Sequence, residues 1–235
     1  MIAENLKSVT QRIARCCEKA GRRPEEVDLV CVTKEAGIPR IDEALALGVR
    51  IIGENRVQDA LAKHRVIGPK AAWHLVGHLQ TNKARDAVNI FSLIHSLDSV
   101  HLAREIDKEA KRIGKVQDAL VQVNVSGEKT KFGVLPDVLT DIIKEVSPYQ
   151  NISIKGLMTI APAADDPEKS RPYFRKLKEL LDKINERRAM DESGAKRSLP
   201  EGDERRILSM GMTDDFEVAI EEGSTMVRIG RAIFS

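Results

Sequence analysis

The apolar positions of the chain fall into two alternating patterns. Leu6, Val9, Ile13, Cys17 and Ala20 recur every three or four residues and stop before Gly21 and Pro24, which is the spacing and ending of an amphipathic helix. Residues 1–20 are therefore predicted to be helical. Short apolar runs follow: VDLVCVT at 27–33, RIIG at 50–53, AWHLVG at 72–77, IFSLIHSL at 90–97, ALVQVNV at 119–125, ISIKGLMTI at 152–160, RILSMG at 206–211 and MVRIG at 226–230. Runs this short with little alternation read as strands buried on both faces, the signature of a parallel sheet.

Helical periodicity fills the gaps between them. Ile41, Ala44 and Leu45 end at Gly48, Val138, Leu139, Ile142, Ile143 and Val146 end before Pro148, and Phe174, Leu177, Leu180, Leu181 and Ile184 form a third stripe. Thr213 is placed to cap a further helix, with Asp214 and Asp215 at its positive first turn and Gly223 at its stop. Eight strands alternating with helices in 235 residues predict an α/β protein, a single (β/α)8 TIM barrel over 1–235 with an extra N-terminal helix. An open doubly wound sheet is the alternative. The densely charged stretch 186–206 interrupts the pattern and reads as a helix end followed by a charged surface loop over 191–205.

Charge and composition narrow the partners. Lys plus Arg number 38 and Asp plus Glu 36, so no overall field attracts nucleic acid or an anionic membrane. Aromatic residues are 3% of the chain, too few for a base-stacking surface. Cys16, Cys17 and Cys31 form neither a disulfide framework nor a zinc spacing, and charge interrupts the first 24 residues too often for a signal peptide or a membrane span. A cytoplasmic protein is expected.

In a barrel the chemistry gathers at the C-terminal ends of the strands. Lys34 follows the apolar run VDLVCV, where a low-dielectric edge would disfavour the ammonium and free a nucleophilic amine for imine formation. Its plainer reading is a lysine that ends a strand and reaches water. The loops after strands seven and eight often build a phosphate site, and they offer the Ser209 hydroxyl and main-chain N–H groups near Gly230, although close packing alone would also explain these glycines. Arg228, inward on a strand, is a costly buried cation unless it meets a partner, either a structural ion pair or a ligand atom such as a pyridine nitrogen. Together they suit an aldehyde that carries a phosphate. His74 and His78 read as core or hydrogen-bonding histidines in preference to metal ligands, and the cysteines read as buried packing.

These residues stand in motifs that carry a specific resemblance. VTK at 32–34, GENRVQ at 53–58, WHLVGHLQTNK at 73–83, HSLDS at 95–99, NVSGEKTKFG at 124–133, GLMTIAP at 156–162 and LSMGMTDDFEVAIEEGSTMVRIGRAIF at 208–234 resemble the pyridoxal phosphate homeostasis protein family, itself similar to the N-terminal barrel of alanine racemase. The resemblance implies pyridoxal 5'-phosphate as cofactor and Lys34 as its Schiff-base lysine. It implies Arg228 at the pyridine nitrogen, Asn55 near the ring, and Ser209 with the backbone of Gly230 and Arg231 around the phosphate. Lys131 matches a lysine close to the family's pocket, though its place in the sequence reads as a solvated loop lysine. Glu35, Ala36 and Gly37 follow Lys34 where the family commonly continues with a second lysine and a proline.

The function so implied is cofactor homeostasis without strong catalytic activity, with pyridoxal-phosphate-dependent apo-enzymes as conceivable recipients. Two alternatives stay open: a racemase-like enzyme using the same cofactor, and a phosphosugar aldolase or isomerase with Lys34 as its imine lysine.

Overall fold

A computed structural model describes residues 1–190 and 206–235, and backbone alone for 187–190. Eight parallel strands, β1 (Asp28–Val32), β2 (Ile51–Glu54), β3 (Ala72–Leu75), β4 (Leu93–Leu97), β5 (Gln117–Gln122), β6 (Ile152–Met158), β7 (Ile207–Ser209) and β8 (Met226–Ile229), pair in sequence order. Strand β8 closes on β1, with Val30 opposite Arg228 and Cys31 opposite Ile229. The closed barrel is the predicted fold, and the open sheet is excluded.

Alternation along each strand sorts side chains into two cores. Val30, Leu93, Leu120, Met158 and Met226 point inward and fill the barrel with apolar volume. Their neighbours point outward against the helices, as Cys31, Ile52, Ile94, Ala119 and Val227 do. Those helices are α2 (Ile38–Ala46), α3 (Val57–Ile67), α4 (Ala84–Ile90), α5 (Val100–Arg112), α6 (Leu139–Val146), α7 (Arg171–Met190) and α8 (Phe216–Glu221), one after each of the first seven strands.

The short α9 (Arg231–Phe234) follows β8, and the first helix, α1 (Ile2–Lys19), occupies the ring between α8 and α2. It packs against α2, α8 and α9 with Ile2, Leu6, Val9, Ile13, Cys16 and Cys17 buried. Burying each such side chain contributes about 1.5–3 kcal/mol. Arg12 pairs with Glu217 at 3.0 Å, and Arg22 donates to the carbonyls of Ile220 and Ser224 at the end of α8. The extra N-terminal helix thus completes the barrel.

Some boundaries differ from the sequence reading. Strand β4 starts at Leu93, because Ile90 closes α4 and Phe91 turns into the core. Strand β5 ends at Gln122, where the Asn124 side chain donates to the carbonyls of Glu128 and Lys131 and turns the chain. Thr213 does not cap α8, which begins at Phe216, while the Asp215 carboxylate accepts the N–H of Met212 at 2.7 Å. Gly223 ends that helix with φ +93°, as expected. The charged loop read at 191–205 lies outside the described residues.

Candidate functional site

Above the apolar layer the inward positions become polar. His74 on β3, His95 on β4, Ser209 on β7 and Arg228 on β8 are all buried. One alternation further, at the strand ends, come Lys34, Asn55 and Gly230. Lys34, Arg40, Gly230, Arg231 and Phe234 help to line one recess of about 150 Å³ between the ends of β1 and β8. The closure of β8 on β1 produces this juxtaposition, since the residues are far apart in the chain.

Lys34 stands in the turn after β1 with its side chain 45% exposed and Nζ 3.6 Å from Glu35 Oε1. The low-dielectric surroundings expected around it stop at the buried Thr33, and Lys34 itself is exposed. The backbone before it is clamped. Thr33 Oγ1 donates to Glu54 Oε1 at 2.6 Å, and Lys63 Nζ donates to Glu54 Oε1 at 2.7 Å and to the Thr33 carbonyl at 2.6 Å. Glu54 is fully buried, and its Oε2 has no hydrogen-bond partner. The sequence reading passed over this clamp, although a glutamate ending an apolar strand was its signal.

Glycine is required beside both strand ends for steric reasons. A Cβ on Gly230 would lie 2.9 Å from the Val32 carbonyl oxygen, and one on Gly53 would lie 2.7 Å from Val30 Cγ1. Close packing therefore explains these glycines whether or not an anion binds. Asn55 is half-buried directly above Gly53, its backbone against Gly77.

Arg228 is the buried cation of the interior. Its Nη1 donates to Ser209 Oγ at 2.6 Å and its Nη2 to the Thr159 carbonyl at 2.8 Å. Among the described residues it pairs with no carboxylate. Burial pushes its pKa down to about 10, with Asp215 opposing from a distance, and it stays charged at neutral pH. A buried charge held only by neutral acceptors is costly, and an electron-rich or anionic ligand at the mouth would relieve that cost.

Ser209 is placed differently from the expectation. Its hydroxyl faces inward, occupied by Arg228 and by His95 Nδ1 at 2.9 Å, and the residue has no exposed surface. Its hydroxyl is held between the Arg228 guanidinium and the His95 ring. His95 Nε2 in turn meets His74 Nδ1 at 3.1 Å. Burial drives both imidazoles toward the neutral form, His74 to about 4 and His95 well below its ordinary value, the latter also repelled by His74 and Arg228. His95 was not singled out from sequence.

The remaining candidates separate. His78 leaves His74 and pairs with Asp98 at 3.2 Å while stacking on Phe132 with centroids 3.8 Å apart. No group of three or more His, Cys, Asp or Glu able to hold a metal occurs among the described residues. Lys131 is no solvated lysine: its Nζ is buried, 3.1 Å from Glu128 Oε1. The Arg231 side chain pairs with Asp214 at the rim, while its main chain opens α9. The three cysteines are buried and burial raises each thiol, Cys31 to about 12, which suits packing.

Comparison with known proteins defines the class first. Residues 5–235 match the family described as alanine racemase, N-terminal domain. An alanine racemase from Clostridium difficile shares the fold, with TM-score 0.68 at 16% identity over 98% of this chain and 56% of that one. The chain is 43% identical over 232 residues to a pyridoxal phosphate homeostasis protein of Aquifex aeolicus, covering 98% of this chain and 96% of the relative. It is 35% identical over 234 residues to the Pseudomonas aeruginosa protein of the same name, with 99% and 94% covered. PipY of Synechococcus elongatus, solved with PLP bound, superimposes with TM-score 0.81 at 32% identity over 100% of both chains. The chain belongs to the pyridoxal phosphate homeostasis protein family.

Proposed function

We propose that this protein binds pyridoxal 5'-phosphate, holds it through a Schiff base to Lys34, and serves cytoplasmic cofactor homeostasis without catalytic turnover. One observation carries the reading: Lys34, Gly230 and Arg231 line one recess, and two residues before Gly230 on β8 stands Arg228, a buried cation that pairs with no carboxylate among the described residues. The relatives' names and the PLP-bound PipY support it. The cofactor supplies an aldehyde, a ring nitrogen and a phosphate, and the residues present match those three groups.

Lys34 offers the amine, held in place by the clamp on Thr33. Arg228 donates toward the ring nitrogen and keeps it unprotonated, which favours holding the cofactor over carbanion chemistry. Asn55, rising beside Lys34, borders the ring. The main chain at Gly230 and Arg231 receives the phosphate, with Thr213 as the hydroxyl that the late start of α8 leaves in the β7–α8 loop. Ser209 orients Arg228. Apo-enzymes that require the cofactor are the recipients we assign, with the barrel over 1–235 as one domain.

Absorption titration of the purified protein with pyridoxal phosphate, followed by addition of amino acids in deuterated water, tests the reading. Saturable uptake with no exchange of the amino acids' α-protons is expected. Absence of uptake, or steady exchange, overturns it.

A further inference from the structure

The hydrogen-bond chain beneath Arg228 is longer than holding one side chain requires. It runs from Arg228 on β8 through Ser209 on β7 and His95 on β4 to His74 on β3, with the two imidazole centroids 5.1 Å apart. One layer below, β8, β7 and β4 contribute Met226, Ile207 and Leu93 to the interior. The barrel is therefore packed with apolar side chains immediately beneath this polar layer.

Both imidazoles are neutral, so each carries one N–H and one acceptor nitrogen. That leaves two proton arrangements. If His74 donates to His95 and His95 to Ser209, the hydroxyl proton is left over in a residue with 0% exposure. If Ser209 donates to His95 and His95 donates to His74, the hydroxyl proton is used and the proton left over sits on His74 Nε2, in a residue that keeps 6% exposure. The second arrangement is favoured, because an unpaired buried hydroxyl is destabilising. In it each bond points away from the guanidinium, so successive dipoles polarise one another and turn their negative ends toward the cation.

We propose that His95 and His74 are positioning residues which, acting through Ser209, aim Arg228 at the ring nitrogen of the bound cofactor while leaving its charge uncompensated. A carboxylate in their place would fix the guanidinium equally well but would neutralise it. The neutral chain fixes direction and preserves charge. This role rests on the reading of the barrel mouth as a pyridoxal phosphate site.

The test compares the unmodified protein with Ser209→Ala, His95→Phe and His95→Asn, each exposed to pyridoxal phosphate. It reads the cofactor dissociation constant, the absorption maximum of the bound cofactor, and folding by circular dichroism. Ser209→Ala and His95→Phe are expected to weaken retention about tenfold and to displace the absorption maximum. His95→Asn, whose amide can stand near the place of Nδ1, is expected to recover most of both. Should His95→Phe fail to fold, Ser209→Ala against His95→Asn makes the same comparison. Folded Ser209→Ala or His95→Phe with unchanged affinity and maximum overturns the role and leaves the cofactor site standing. If the unmodified protein takes up no cofactor, the site reading falls, and this role with it.

Discussion

Arg228 donates to Ser209 Oγ at 2.6 Å, so two residues that the sequence assigned to opposite ends of a ligand touch each other. The contact holds the Ser209 hydroxyl against the guanidinium, with Arg228 itself buried two residues before Gly230.

Replacing Arg228 should therefore separate stability from binding. In Arg228→Met, Ser209 Oγ and the Thr159 carbonyl lose their donor, at about 1–3 kcal/mol each. Relief of a buried charge offsets this by several kcal/mol. The melting temperature is expected to move by only a few degrees while cofactor retention falls at least tenfold. Calorimetry and equilibrium dialysis on the same preparation check both, and full retention would contradict the assignment.

Thr213 offers a sharper test of the phosphate end. A hydrogen bond to a charged group contributes about 1.5–3 kcal/mol, so Thr213→Ala should bind pyridoxal phosphate roughly tenfold to a hundredfold more weakly. Binding of pyridoxal, which lacks the phosphate, should be unaffected. Equal weakening of both ligands would place the phosphate elsewhere.

The buried histidines predict a pH dependence of stability. His74 titrates at about 4 in the folded protein and near 6.5 when unfolded. Between these values the unfolded chain binds more protons, so stability rises with pH across the window. The contribution is complete above about 6.5 and is lost as pH falls toward 4, on the order of 3 kcal/mol. Urea denaturation from pH 4 to 7 should show a shallower dependence in His74→Phe than in the unmodified protein. Identical slopes would mean that His74 is not buried in its neutral form.

The Thr33 clamp predicts an asymmetry. Lys63→Met strands the buried Glu54 carboxylate and should cost about 3–5 kcal/mol, whereas Lys63→Met combined with Glu54→Gln should recover most of it. Additive losses in denaturant titrations would show that the two residues do not form a coupled pair.

The strand runs were legible because a parallel barrel buries both faces of each strand, and periodicity alone located all eight. The role of α1 was not, since only closure of β8 on β1 brings α2, α8 and α9 to the face on which it packs. The places of Lys34, Arg228 and Gly230 at the ends of β1 and β8 were legible from the strand runs. His95 was hidden inside an apolar run, and its inward direction follows only from the register of β4 with its neighbours. Ser209 was misplaced by one inward level for the same reason, and Thr213 was mistaken for a cap because Asp215 takes that position. The buried Nζ of Lys131 depends on the turn organised by Asn124, a contact between side chain and backbone that leaves no periodic trace.

The central claim is that Lys34 is the covalent anchor. Borohydride reduction of the protein loaded with pyridoxal phosphate, followed by peptide mapping, tests it most directly. The account predicts a reduced pyridoxyl adduct on Lys34, absent from folded Lys34→Ala; an adduct on Lys131 or Lys63, or an undiminished yield in Lys34→Ala, would contradict it.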